Sequence, residues 1–323
     1  MVDLPDLSAG TGAAALQCDR AIFTSLPSAT GEGYRLVAWS SGVRPEERQE
    51  FTRRAPSHGS LCGEGAASRG LIQSQLQSTG RIAWGFVRVA GAEHTRRGGG
   101  RVWTDFLVAD ATEALREGLH PHALHAALAA EPAPKTPLGS APLARVAAAR
   151  RDSGLPAARD ARGVTVAASV ASILLDGRAC VIAAGDAATD VFEDALRMLP
   201  ASLRAGIGAC AGLRLSSARG VKATLTDRFD QDTIRATRGQ GIECIDLASR
   251  LPPVGGAIAP WLALMSRWWN EQRGGQAVGL SDRLSGGWSV EEIVDIAEMC
   301  EAIDRGDESS ETLEVYLLRR RAA

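Results

Sequence analysis

The chain has 323 residues, 45% hydrophobic and 23% charged, enough for two ordinary domains with real cores. Its net charge of −2 gives no overall basic footprint for nucleic acid or an anionic membrane. It has no run of 18 uninterrupted apolar residues and no basic start of a secretory signal, so neither a membrane span nor export is predicted and a cytoplasmic location is expected. All basic residues except Lys135 and Lys222 are Arg, which, with the abundant Ala and Gly, reads as coding bias rather than a phosphate-binding surface. The Cys residues at 18, 62, 180, 210, 244 and 300 are scattered without a C-x-x-C, as free thiols in a reducing compartment would be.

Residues 1–19 read as a flexible lead-in. "CDRAIFTSLP" and "GYRLVAW" follow as short strands around the turn-prone "SATGEG", and "RPEERQEFTRRA" as a helix with Pro45 in its first turn. "SHGSLCGEGA" is Gly-rich and reads as loop. "RIAWGFVRVA" and "RVWTDFLVA" are the clearest strands, with Ile82, Trp84 and Phe86 on one face of the first and Val102, Thr104, Phe106 and Val108 on one face of the second. The polar "GAEHTRRGGG" between them is a long hairpin tip. Helical sequence runs from about Thr112 to Ala130, broken at Pro121.

Residues 131–162, rich in Pro and Ala, read as a linker holding one short helix. Order restarts with a helix in "VTVAASVASILL", a strand in "RACVIAAG", a helix in "ATDVFEDALRML", and strands in "GIGACAGLRL", "VKATLT" and "GIECIDL". The region 255–323 reads as all-helical, with Ser289 and Glu292 forming a capping box and a closing Arg run that complements the last helix dipole. The predicted class is therefore α+β: modules at 20–130 and 163–254, joined by the linker and followed by the helical region.

"GIGACA", residues 206–211, fits G-x-G-x-x-G/A, the fingerprint of a dinucleotide loop. Such a loop must leave a strand and open a helix, whereas here a helix ends and strand-like sequence follows, so a buried strand with close packing is expected. Nucleotide sensing through Gly206 and Gly208 stays as a minor alternative. The chain has no Gly-Lys pair for a P-loop and no kinase D-F-G. His58 with Cys62 offers a base and a nucleophile in a Gly-rich loop, the basis of a cysteine-hydrolase alternative. His120, His122 and His125 lack the spacing and partners of a metal site, and Asp227, Asp230 and Asp232 lack the Gly and closing Glu of a Ca²⁺ loop. Neither a metal nor a cofactor is expected.

The features that suit a protein partner are the hairpin-tip charges Arg96, Arg97 and Arg101 beside His94, the adjacent Trp268 and Trp269, and Arg319, Arg320 and Arg321. One of the two Trp is expected at the surface, because neighbours on a helix face different directions.

The order of pieces resembles the bacterial GTPase-associated protein family, first type, with its N-terminal and middle modules. The likeness runs over residues 20–250, through "FTSLP", "GYRLVAWS", "PEERQEF", "RIAWGFVRVA" and "HTRRGGGRVWTDFLV", then "GRACVIAAGD" and "LRMLPASLRAGIG". Gly100-Arg101 and Leu199-Pro200…Leu203-Arg204 stand where that family has its hairpin return and its helix-to-strand junction. This resemblance implies a non-enzymatic adaptor or regulatory subunit that binds a GTPase or an effector in a bacterial conflict or defence system, and it supplies no catalytic residues.

Overall fold

The computed structural model describes residues 16–26, 33–62, 68–92, 99–116, 146–148, 161–185, 187–238, 240–246 and 251–322. The protein is α+β. In the first half, β1 (Leu16–Ser25), β2 (Tyr34–Trp39), β3 (Arg69–Gln75), β4 (Ile82–Ala92) and β5 (Gly100–Ala109) pair antiparallel in the order β3-β4-β5-β1-β2. The expected hairpin is the β1–β2 pair. α1 (Pro45–Arg54) has Pro in its first turn and stacks Phe51 on Phe106 at 4.6 Å between ring centroids. One sheet face buries Ile82, Trp84, Phe86 and Leu107, and the other buries Ala21, Phe23, Phe106 and Val108. α2 (Ala111–Arg116) follows β5.

Three differences from the sequence reading stand out here. β1 begins at Leu16, inside the stretch read as lead-in, because Leu16, Cys18 and Asp19 are buried. β6 (Val146–Ala148) lies within the predicted linker, where no strand was expected, and pairs with Leu16–Cys18. β3 had no counterpart in the sequence reading.

The second half adds a parallel block. α3 (Ala161–Leu175) leads into β7 (Cys180–Ala183), then α4 (Ala187–Met198), a short α5 (Ala201–Arg204) and β8 (Ala209–Ala211). A 3₁₀ turn (Ser217–Arg219) leads into β9 (Ala223–Thr226), then α6 (Gln231–Arg238) and β10 (Glu243–Asp246). The strand order is β10-β7-β9-β8, all parallel, and β8 then pairs antiparallel with β3 through Leu71–Ala211, Ile72–Cys210 and Gln73–Ala209. One continuous sheet thus runs through both halves.

The helical region is α7 (Ala259–Asn270), α8 (Gly274–Arg283), α9 (Val290–Arg305) and α10 (Ser310–Ala322). The predicted capping box at Ser289 and Glu292 is present. These helices pack on the second half and share one large core with α3 and α4, including Val170, Phe192, Trp261, Met265, Leu280 and Ile296. Polar ties fix the junction. Trp261 Nε1 donates to the Met198 carbonyl at 2.7 Å, Ser169 Oγ to the Pro252 carbonyl at 2.9 Å, and Arg204 to Asp282 at 2.6 Å. Arg204, at the end of α5 just before β8, therefore anchors α8.

Candidate functional site

The "GIGACA" stretch has a structural answer. A side-chain carbon on Gly208 would meet the Gln73 carbonyl oxygen at 3.1 Å and Val221 Cα at 3.5 Å. The chain is small there because β8 enters between β3 and β9. Ala209 and Ala211 line a small cavity with Thr189, Phe192 and Glu193 of α4, so the small residues do not draw that helix into close contact. The stretch leads into a strand, not a helix, so the geometry of a dinucleotide loop is missing.

Beyond β8, several loops meet at the carboxyl ends of the parallel strands. Gly212 turns with φ +65°, and its backbone is pressed against Arg69 and Gly70. The Cys62 amide donates to the Gly212 carbonyl at 3.0 Å, the Arg214 amide to the Ser60 carbonyl at 2.8 Å, and Leu61 bridges Leu213. The His58–Cys62 loop is thereby joined to the segment after β8. Across from it, Asp230 caps α6, accepting from the Thr233 amide at 2.6 Å, which holds its carboxyl below the usual range.

Cys62 sits at this rim with an exposed side chain. Partial burial of the thiol, with Cys210, Asp230 and Asp227 adding to it, pushes its pKa up against the pull of Arg214. A nucleophilic Cys needs the opposite shift. His58 approaches Gly99 instead, and its buried Nδ1 has no hydrogen-bond partner among the described residues. Among those residues no hydrogen bond joins His58 to Cys62. Asp227 and Asp230 make no metal cluster with their neighbours, no group of three candidate ligands being present among the described residues. His120, His122 and His125 lie outside them.

Of the predicted partner contacts, His94, Arg96 and Arg97 also lie outside the described residues. Arg101 lies at the base of the same hairpin, where its Nε donates to the Ala90 carbonyl at 2.8 Å. The expectation that Trp268 or Trp269 is exposed is corrected: they are 2% and 9% exposed. α7 is enclosed by α3, α8 and α9, so both directions that adjacent residues face lead into protein. Trp268 Nε1 donates to Asp304 at 2.8 Å, and Arg273 lies 4.5 Å over its ring.

On α10, Arg320 is bound within the chain. It donates to Glu292 at 2.6 Å and to the Gly287 carbonyl at 3.1 Å, and lies 5.6 Å over Trp288. Arg319 is exposed, and next to it Leu318 is 60% exposed. No side-chain position is described for Arg321. None of the helices among the described residues is long and apolar enough to cross a membrane.

Residues 17–148 match the model of a protein family described as GTPase-associated protein 1, N-terminal domain type 2. No curated protein and no solved structure matches the chain. The match ends at 148, so the likeness of residues 163–254 to a middle module rests on its sequence motifs.

Proposed function

Because residues 17–148 match the model of GTPase-associated protein 1, N-terminal domain type 2, we propose that the chain is a non-enzymatic adaptor or regulatory subunit that binds a GTPase. The setting proposed is the cytoplasm of a bacterium, within a conflict or defence system. The family match is the single observation that carries this reading. The matched segment contains the β4–β5 hairpin, so Arg96, Arg97 and Arg101 are the proposed primary contact. Arg319 is the proposed second contact, because it remains at the surface of α10 while Arg320 is engaged with Glu292 and Trp288. Trp268 and Trp269 have no place in this surface.

The test is affinity capture of the tagged full chain from its host, in GDP and in a non-hydrolysable GTP analogue, with mass spectrometry. A GTPase captured in one nucleotide state and lost with R96A/R97A supports the reading and names the switch. Capture of no GTPase in either state removes the function, and capture unchanged by R96A/R97A removes the contact.

A further inference from the structure

α10 carries apolar residues on both of its sides. Leu313 and Leu317 are buried in the core shared with the other helices, and Tyr316 packs beside them. A surface helix that buries one stripe in this way turns polar residues to the opposite side. Here Val315 is 39% and Leu318 60% exposed, one turn apart on the outer side. Among the described residues Trp39 is the one other large hydrophobic side chain that is exposed. Two of the three therefore stand together on one helix, as a contact surface requires and scattered exposure does not.

The charges around this pair are sorted along the helix. Glu308 and Glu311 are exposed at the start of α10, and Arg319 is exposed near its end. Helical spacing sets Glu311, Val315, Leu318 and Arg319 on one side. Glu311 and Arg319 lie about 12 Å apart along the axis, so they cannot pair within one helix. An acidic start, an apolar middle and a basic end are complementary to the same pattern reversed. An antiparallel copy sets Val315 and Leu318 against their counterparts and brings Arg319 beside the partner's Glu311. It also opposes the two helix dipoles. A parallel copy would stack like charges instead.

We propose that the outer side of α10 is a homodimer interface, on which a second copy of this chain lays its own α10 antiparallel across Val315 and Leu318. A helix of 13 residues is about 20 Å long and covers less area than a permanent dimer needs, so the pair forms and separates with concentration. This interface does not rest on the GTPase reading. Arg319, the second contact of that reading, lies on the same side, so the two contacts exclude one another there.

The experiment is sedimentation equilibrium of the purified full chain, with no other protein present, from about 1 μM to about 1 mM. The expected result is a monomer–dimer equilibrium with a Kd of about 10–100 μM. Leu318→Glu changes an exposed position, so it is expected to keep the Tm of the monomer while raising Kd at least about tenfold. Arg319→Glu is expected to weaken pairing about tenfold, because it faces the partner's Glu311. Glu311→Arg added to the same chain is expected to restore pairing, since the exchanged charges meet again across the two copies. A chain that stays monomeric over the whole range overturns the proposal and leaves this side of α10 to a different protein. A dimer that Leu318→Glu leaves intact, or that the double exchange fails to restore, overturns it too.

Discussion

Gly212 shows how one residue controls the rim. Its φ of +65° lies in the left-handed region, and any Cβ there points into the Arg69 carbonyl and sits 3.3 Å from Gly70 Cα. Both obstacles are backbone and cannot rotate away, so Gly212→Ala is expected to cost about 1–3 kcal/mol or more in urea unfolding. An unchanged midpoint would mean that the turn relaxes freely. Arg81 carries a different burden in the first half. It bonds Asp19 at 2.6 Å and Glu47 at 3.2 Å, and both carboxylates are buried. Arg81→Leu removes the cation that bridges them, leaving Ser40 on Asp19 and the Arg44 amide and Thr79 on Glu47, and a loss of about 2–4 kcal/mol is expected by the same measurement. Cys62 decides the hydrolase alternative. Burial raises its thiol, so a mild electrophile at neutral pH should label it more slowly than a free cysteine peptide. Faster labelling would revive a nucleophile at this position and set it against the adaptor reading.

Between elements, Asp304 of α9 is the clamp on α7. Burial alone would raise its carboxyl, but hydrogen bonds from Arg273, Trp268 and Arg267 outweigh that and hold it below the usual range. A depressed carboxyl stabilises the fold above its unfolded value of about 3.9, and that contribution is lost as pH falls through the folded value. Asp304→Asn is therefore expected to destabilise the chain by about 1.5–3 kcal/mol at pH 7, with the gap to wild type narrowing at pH 3. A gap of equal size at both pH values would show that the charge is not what holds the helices. The strongly patterned elements were legible beforehand: the alternation of Ile82, Trp84 and Phe86 marked β4, and Ser289 with Glu292 marked the start of α9. β3 escaped because "RGLIQSQ" mixes Gly and Gln with few apolar residues, and it is buried by neighbours on both edges rather than by its own pattern. β6 escaped because a three-residue strand has no period to read. Trp268 and Trp269 were misplaced because helix geometry says where adjacent residues point, not that a second and a third helix wait there.

At the scale of the molecule, the question is whether the two halves are separate units. The composition shift at 131–162 argues for separation, whereas the sheet argues for union. β3 and β8 share a ladder, and Leu61, Ile72, Val87 and Val102 from the first half form one cluster with Cys210 and Leu213 from the second. If that cluster couples the halves, neither edge strand can open without exposing the other's apolar face. Hydrogen exchange followed by mass spectrometry across a urea series reads this directly. Peptides spanning Arg69–Gln75 and Ala209–Ala211 are expected to lose protection at the same urea concentration, as one cooperative unit. Loss at the first strand while the second stays protected would make the halves independent modules that merely abut. The rim holding Cys62 and Arg214 would then open whenever the first half does, because the Cys62 amide and the Ser60 carbonyl are its ties across that junction. Coupled opening instead keeps the rim formed for as long as the sheet is whole.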